Sequence, residues 1–162
     1  MARIDKENYY LDIAETVLKR ATPCLRRCYG AIIVKNDEII STGYNGAPRG
    51  RRNCTDLGYC TRDALQVPSG ERYELCRSVH AEANCIISAA RSAILGGTLY
   101  LAGRDSKTGE LLPDPPSCSM CRRLIINAGI DRVVIRRTPS EYTAVHVEDW
   151  IREDDSLPPA LG

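Results

Sequence analysis

The stretch Ser78-Val79-His80-Ala81-Glu82-Ala83-Asn84 carries a histidine and, two residues on, a glutamate; further along, Ser117-Cys118-Ser119-Met120-Cys121 adds a Cys-x-x-Cys. Each opens an apolar, helix-like run, so His80 and both cysteines are expected at helix N-termini, where the positive end of the dipole favours thiolates. Thiolates and neutral imidazole are zinc donors, and a catalytic zinc keeps three protein ligands with the fourth position left for water. His80, Cys118 and Cys121 make that three. Two thiolates and one imidazole leave a divalent centre formally neutral, which lowers the pKa of a bound water toward neutrality. Glu82 is not needed as a ligand, so its carboxylate is free to take a proton from water and pass it to a substrate nitrogen. A lone Cys-x-x-Cys is as readily redox-active or structural, and a lone His-x-Glu carries little information. Their combination, each ahead of a helical run, points to a metal site that does acid–base chemistry.

The bulk composition bounds what surrounds this site. A chain of 162 residues suits one domain, expected over 1–153 with a flexible tail at 154–162, and is long enough to bury a core without disulfides. Hydrophobic content of 43% and charged content of 27% are those of an ordinary globular protein. The formal charge of +1 lacks the basic excess that gripping a phosphate backbone calls for, so no polynucleotide partner is expected. No apolar run approaches a membrane span and the N-terminus has no apolar signal core, which implies a cytoplasmic protein with no membrane partner. In a reducing compartment, eight cysteines point to metal before disulfides.

Periodicity supplies the elements. Asp5 or Asn8 caps a first helix with Tyr10, Ile13, Ala14, Val17 and Leu18 on one face, stopped by Thr22-Pro23. Residues 30–34 and 39–42 read as strands around Lys35-Asn36-Asp37-Glu38, whose Asn-Asp pair suits a tight antiparallel turn. The loop Gly43-Tyr-Asn-Gly-Ala-Pro-Arg-Gly50 follows a strand end, where function is often carried. Residues 51–77 are polar and without period; Cys54, Cys60 and Cys76 along them, with Cys24, offer a metal staple for a segment that apolar burial alone does not order. A helix over 80–93 carries Ala83, Ile86, Ile87, Ala90 and Ile94 on one side and ends at Gly96-Gly97. Then come a strand at 98–102, an Asp/Gly/Pro-rich link at 104–117 without an assigned role, a helix over 122–128 and a strand at 132–135. Strand, helix, strand implies a right-handed crossover and parallel pairing. A short strand and a helix over 147–152 follow.

His-x-Glu with a later Cys-x-x-Cys is the signature of zinc-dependent nucleobase deaminases. The chain resembles the cytidine and deoxycytidylate deaminase zinc-binding superfamily, and within it the deoxycytidylate (dCMP) deaminases, through His80-Ala-Glu-Ala-Asn84, Thr42-Gly-Tyr-Asn-Gly46 and Cys121-Arg-Arg-Leu-Ile-Ile-Asn-Ala-Gly129. One departure is visible: the family usually has proline directly before the first cysteine, and here Ser117 stands between Pro116 and Cys118.

The resemblance implies a three-layer α/β/α fold with a mixed five-stranded sheet and hydrolytic deamination of dCMP to dUMP and ammonia. It implies Glu82 as proton shuttle and a catalytic Zn2+ on His80, Cys118 and Cys121. Asn45 matches a residue that contacts the substrate sugar, and the Ala81 amide and Ser117 carbonyl are placed to orient the base. Arg26 and Arg27 lie in a segment that approaches the nucleotide and are the candidates for its phosphate. Some relatives carry a second, structural zinc with Cys24 and Cys54 at matching positions, so Cys24, Cys54, Cys60 and Cys76 are the expected ligands of one here. Arg91 matches a position tied to effector response, which brings in dCTP and dTTP as effectors and a homo-oligomer. Three alternatives stay open: a deaminase of a nucleoside or another base, a zinc-stapled binding module without chemistry, and a dithiol redox protein on Cys118 and Cys121.

Overall fold

The computed structural model describes residues 1–21 and 24–159; the expected helix stop at Thr22-Pro23 and the end of the expected tail, 160–162, lie outside the described residues. Helix α1 (Lys6–Leu18) begins at Asp5, whose Oδ1 accepts from the Asn8 N–H at 3.0 Å and so satisfies a donor that the first turn leaves open. Its buried face is Tyr10, Leu11, Ala14 and Leu18, while Ile13 and Val17 are only partly covered. Strands β1 (Arg27–Lys35) and β2 (Glu38–Tyr44) form the expected hairpin. Asn36 and Asp37 both take positive φ, 50° and 63°, the conformation that a two-residue hairpin turn requires and that these short polar side chains tolerate.

Strands β3 (Thr98–Asp105), β4 (Arg132–Arg136) and β5 (Tyr142–His146) complete a five-stranded mixed sheet in the order β2-β1-β3-β4-β5. Only β3 and β4 run parallel, joined through helix α6 (Ser119–Ala128), as the strand–helix–strand order requires. The pleat then sorts two cores. Ile32, Val34, Tyr100, Ala102 and Val134 meet α1 on one face. Their neighbours Ala31, Ile33, Leu99, Leu101, Val133 and Ile135 face the other, where they pack with Ala81, Cys85, Ile94, Ile125 and Val147. Helices on both faces of one sheet make the three-layer α/β/α arrangement. Among the described residues no helix is long and apolar enough to cross a membrane.

Three expectations change. The helix expected over 80–93 is two: α4 (Ala81–Ile87) and a one-turn α5 (Arg91–Ile94). The Ser88 hydroxyl donates back to the Asn84 carbonyl at 2.8 Å, and Ala90 is extended, which ends the first helix early. Ile87, placed on the inward stripe, is therefore exposed, and Arg91 is not on the helix that His80 opens. The 104–117 link folds back on the end of β3 through an Arg104–Leu111 bridge and is tied to β5 by Thr143 donating to Asp114 at 2.5 Å. Residues 51–77 contain helices α2 (Cys54–Leu57) and α3 (Thr61–Ala64) and a 3-10 turn at Tyr73–Leu75. A helix α7 (Val147–Arg152) closes the described fold, and Asp155 beyond it pairs with Arg122 at 3.1 Å.

Candidate metal centre and its cavity

Two helix starts deliver the donors. His80 is the N-cap of α4, and Cys118 is the N-cap of α6, its sulfur accepting the Cys121 N–H at 3.4 Å. The start of α4 is fixed by β2 and the loop after it. A Cβ added to Gly43 would stand 2.4 Å from both the Ala81 carbonyl and the Cys85 nitrogen, so only glycine lets helix and strand approach this closely. Val79, next to His80, exchanges two backbone hydrogen bonds with Gly46, 2.7 and 3.2 Å long, and Asn84 Nδ2 donates to the Tyr44 carbonyl at 2.8 Å.

These constraints bring Cys118 Sγ and Cys121 Sγ each to 3.4 Å from Nδ1 of His80, with all three donor atoms within 4.8 Å of one another. One imidazole and two thiols on a half-buried wall are the donor set of a three-ligand zinc site, so the residues present fit that ion. Without a cation the three groups share protons that a metal must displace. Hydrogen bonds donated to Cys118 and then to Cys76 hold the proton on His80 and push it up to about 10. The Cys121 thiol, ahead of His80, holds Cys118 down to about 4. The same pairing pushes Cys121 up, so the pair shares one negative charge until a cation displaces the protons.

Glu82, in the first turn of α4, is buried in the same cavity without belonging to the triangle. Burial raises its pKa, opposed by its own backbone amide, by His80 and by the Ser117 hydroxyl, which donates to Oε1 at 2.9 Å. Ser117 is thus both the departure from the family pattern and a side chain that holds this carboxyl.

The cavity is lined by His80, Glu82 and Cys118 together with Tyr29, Asn45, Arg26, Arg27, Arg62 and Tyr73, among others. Asn45 clamps the start of β1, its Oδ1 accepting from Tyr29 N–H at 2.7 Å and its Nδ2 donating to the Arg27 carbonyl at 3.0 Å. One lone pair and one hydrogen of that amide are left over. Ala81 is buried behind His80. Arg26 lines the cavity but pairs with Asp63 at 3.2 Å, while Arg27 is drawn to the Tyr29 side chain. Arg91 lies elsewhere: its Nε donates to the Asn127 carbonyl at 2.8 Å in the last turn of α6.

Cys24, Cys54, Cys60 and Cys76 all wall this cavity as free thiols, but among the described residues no three of them come within 4.8 Å of one another. Cys76 leans instead on His80; burial works to raise its pKa, and the His80 hydrogen bond and Ser78 amide bring it below the ordinary thiol value. Sequence reasoning missed Arg62 and Tyr73. Pro68-Ser-Gly70 is a readable turn, yet nothing in residue type shows that Arg62, on α3, donates through Nη2 to the Pro68 and Glu71 carbonyls at 2.9 and 2.5 Å. Its guanidinium lies 4.4 Å from the centre of the Tyr73 ring, and Tyr73 meets His80 edge-on at 5.5 Å.

Fold and donor triangle together are those of the zinc-dependent deaminases, and the chain belongs to that family: the cytidine and deoxycytidylate deaminase zinc-binding region matches residues 4–137. Within the family, the chain is 35% identical to the deoxycytidylate deaminase of Mycobacterium phage D29 over 83% of its own length and 96% of the phage protein. It is 30% identical to the deoxycytidylate deaminase of Schizosaccharomyces pombe, of which it spans 36%. Among solved structures, dCMP deaminase from the cyanophage S-TIM5 in complex with dCMP and dUMP superposes with a TM-score of 0.54 at 26% identity, covering 83% of this chain and 84% of that one.

Proposed function

We propose that this chain catalyses the hydrolytic deamination of dCMP: the C4–NH2 bond of cytosine is broken, a C4–O bond is formed from water, and dUMP and ammonia leave. The observation that carries the chemistry is a buried carboxyl, Glu82, lining one cavity with His80 and Cys118 but outside the His80–Cys118–Cys121 triangle. The choice of a nucleotide is supported by the phage relative matched along nearly its whole length and by the dCMP and dUMP complex of the cyanophage enzyme.

His80, Cys118 and Cys121 would hold the catalytic zinc, which when bound supplies a Lewis acid that lowers the pKa of water toward neutrality. Glu82 takes a proton from the water that attacks C4 and delivers it to N3. It then moves a second proton to the departing amine and finishes as it began. Ser117 fixes the rotamer of that carboxyl through Oε1, and its carbonyl and the Ala81 amide orient the base. Asn45 uses its spare donor and acceptor on the sugar, and Arg26 and Arg27, on the same cavity wall, are the candidates that the family resemblance offers for the phosphate.

A second, structural zinc on Cys24, Cys54, Cys60 and Cys76 is part of the same reading; the shared cavity wall supports it, and closing to ligand distance is what it requires. Elemental analysis giving two zinc ions per chain agrees with it, while one ion with all four thiols freely alkylated contradicts it. A cytoplasmic homo-oligomer responsive to dCTP and dTTP through Arg91 completes the proposal. Sigmoidal dCMP kinetics that become hyperbolic with dCTP are the expected outcome, and kinetics indifferent to both triphosphates are the contrary one. The reaction itself is tested by ammonia release from dCMP, deoxycytidine, cytidine, CMP and guanine side by side. dCMP should lead, and equal efficiency on deoxycytidine would overturn the nucleotide assignment.

A further inference from the structure

Arg62 is 5% exposed, lines the cavity, and has no carboxylate within ion-pair distance among the described residues. Two backbone carbonyls occupy its Nη2, one aromatic face covers its plane, and its Nε has no partner. A buried cation that meets only neutral dipoles is costly, because nothing replaces the counter-charge and water it left behind. The contrast with its neighbours is chemical: Arg26 is already neutralised by Asp63, and Arg27 is drawn to Tyr29. Arg136, the other buried arginine, is met by Asp12 and Glu15. Arg62 alone of these buried or cavity-lining cations has neither a carboxylate nor a phenol oxygen as partner, and it lines the cavity that His80 and Glu82 share.

The geometry points to Arg62 as the group that receives the phosphate of the nucleotide and thereby sets the preference for nucleotide over nucleoside. Contacts of 4.4 Å to Tyr73 and 5.5 Å from Tyr73 to His80 bound the guanidinium to about 10 Å from the imidazole centre. That upper limit is within the reach of a nucleoside monophosphate from the reacting edge of its base to its phosphorus. A dianionic phosphate is the counter-charge the guanidinium lacks, and a planar donor already fixed by two carbonyls and a ring loses little freedom when the anion arrives. Arg62 is accordingly a specificity-determining residue, and Tyr73 holds it in place.

The inference rests on the nucleotide reading above, and one experiment separates the two. Steady-state kcat/KM is measured for dCMP and deoxycytidine with zinc-loaded unmodified protein, Arg62→Gln and Arg62→Lys. Arg62→Gln should lower kcat/KM for dCMP by on the order of 10- to 100-fold, the scale of a lost charged hydrogen bond, and leave deoxycytidine within about threefold. Arg62→Lys, which keeps the charge without the planar fork, should fall between. A parallel fall on both substrates would mean that Arg62 only braces the 61–77 segment and would overturn the inference, as would a dCMP preference that survives in Arg62→Gln. Equal turnover of both substrates by the unmodified protein would remove the nucleotide reading and this inference with it. If Arg62→Gln does not fold, a crystal structure of the unmodified protein with dCMP decides. A phosphate oxygen within about 3.2 Å of the Arg62 guanidinium supports the assignment, and a phosphate held by Arg26 or Arg27 without Arg62 overturns it.

Discussion

The donor triangle, through His80 and Cys118, and the connector at 51–77 wall the same cavity but are held by different forces. His80, Cys118 and Cys121 stand at the starts of α4 and α6, whose inner faces are buried on the sheet through Ala81, Cys85, Ile125 and their neighbours. The connector buries Cys54 and Arg62 and relies on polar ties: the Asn53–Asp56 capping box, the Arg62 clamp on two carbonyls, and Arg77 Nε donating to the Arg52 carbonyl at 2.6 Å. A site whose donors rest on regular elements keeps its geometry when the opposite wall changes. The proposed chemistry and the proposed choice of substrate thus rest on separately variable parts of the molecule.

The largest effect should come from breaking the triangle. His80→Ala removes the nitrogen that both sulfurs face, so zinc content by elemental analysis should fall by one ion per chain and dCMP turnover should drop to background. Next is the platform beneath it. Gly43→Ala forces a Cβ against the backbone of α4, and urea unfolding should show a loss of about 1–3 kcal/mol, the usual scale of overpacking, with activity falling as α4 shifts. On the connector side, Tyr73→Leu removes the ring between Arg62 and His80. KM for dCMP should rise several-fold, about what a cation–π contact is worth, with zinc content unchanged. Equal loss of zinc in Tyr73→Leu and His80→Ala would erase the distinction between the two walls. An effect of the same order, but on kcat, is expected of Ser117→Ala, which frees Glu82 Oε1. It should lower kcat by roughly tenfold or less, the value of one hydrogen bond, at unchanged zinc content and KM.

The same division explains how far the sequence could be read. The Asn36-Asp37 hairpin, the α1 stripe, the β3–α6–β4 crossover and the donors at helix starts follow from local rules: turn chemistry, periodicity and capping. Each is written in a few adjacent residues. The break after Ile87 depends on one back-bonded serine, and the burial of Arg62 depends on carbonyls six and nine residues away that become acceptors only once the connector has folded. The Ser117 contact to Glu82 spans 35 residues, and it was visible beforehand only as a departure from the family pattern. Long-range polar pairing leaves no periodic signature, which is why the connector side of the cavity was the less legible one.

The central claim, that Glu82 carries protons at a centre it does not ligate, is tested most directly by measuring zinc content and dCMP-dependent ammonia release on one preparation of Glu82→Gln. Zinc should remain at the level of the unmodified protein, and ammonia release should fall by roughly 100-fold or more, the scale of a lost general acid–base group. Near-native release, or loss of zinc together with activity, would contradict the account.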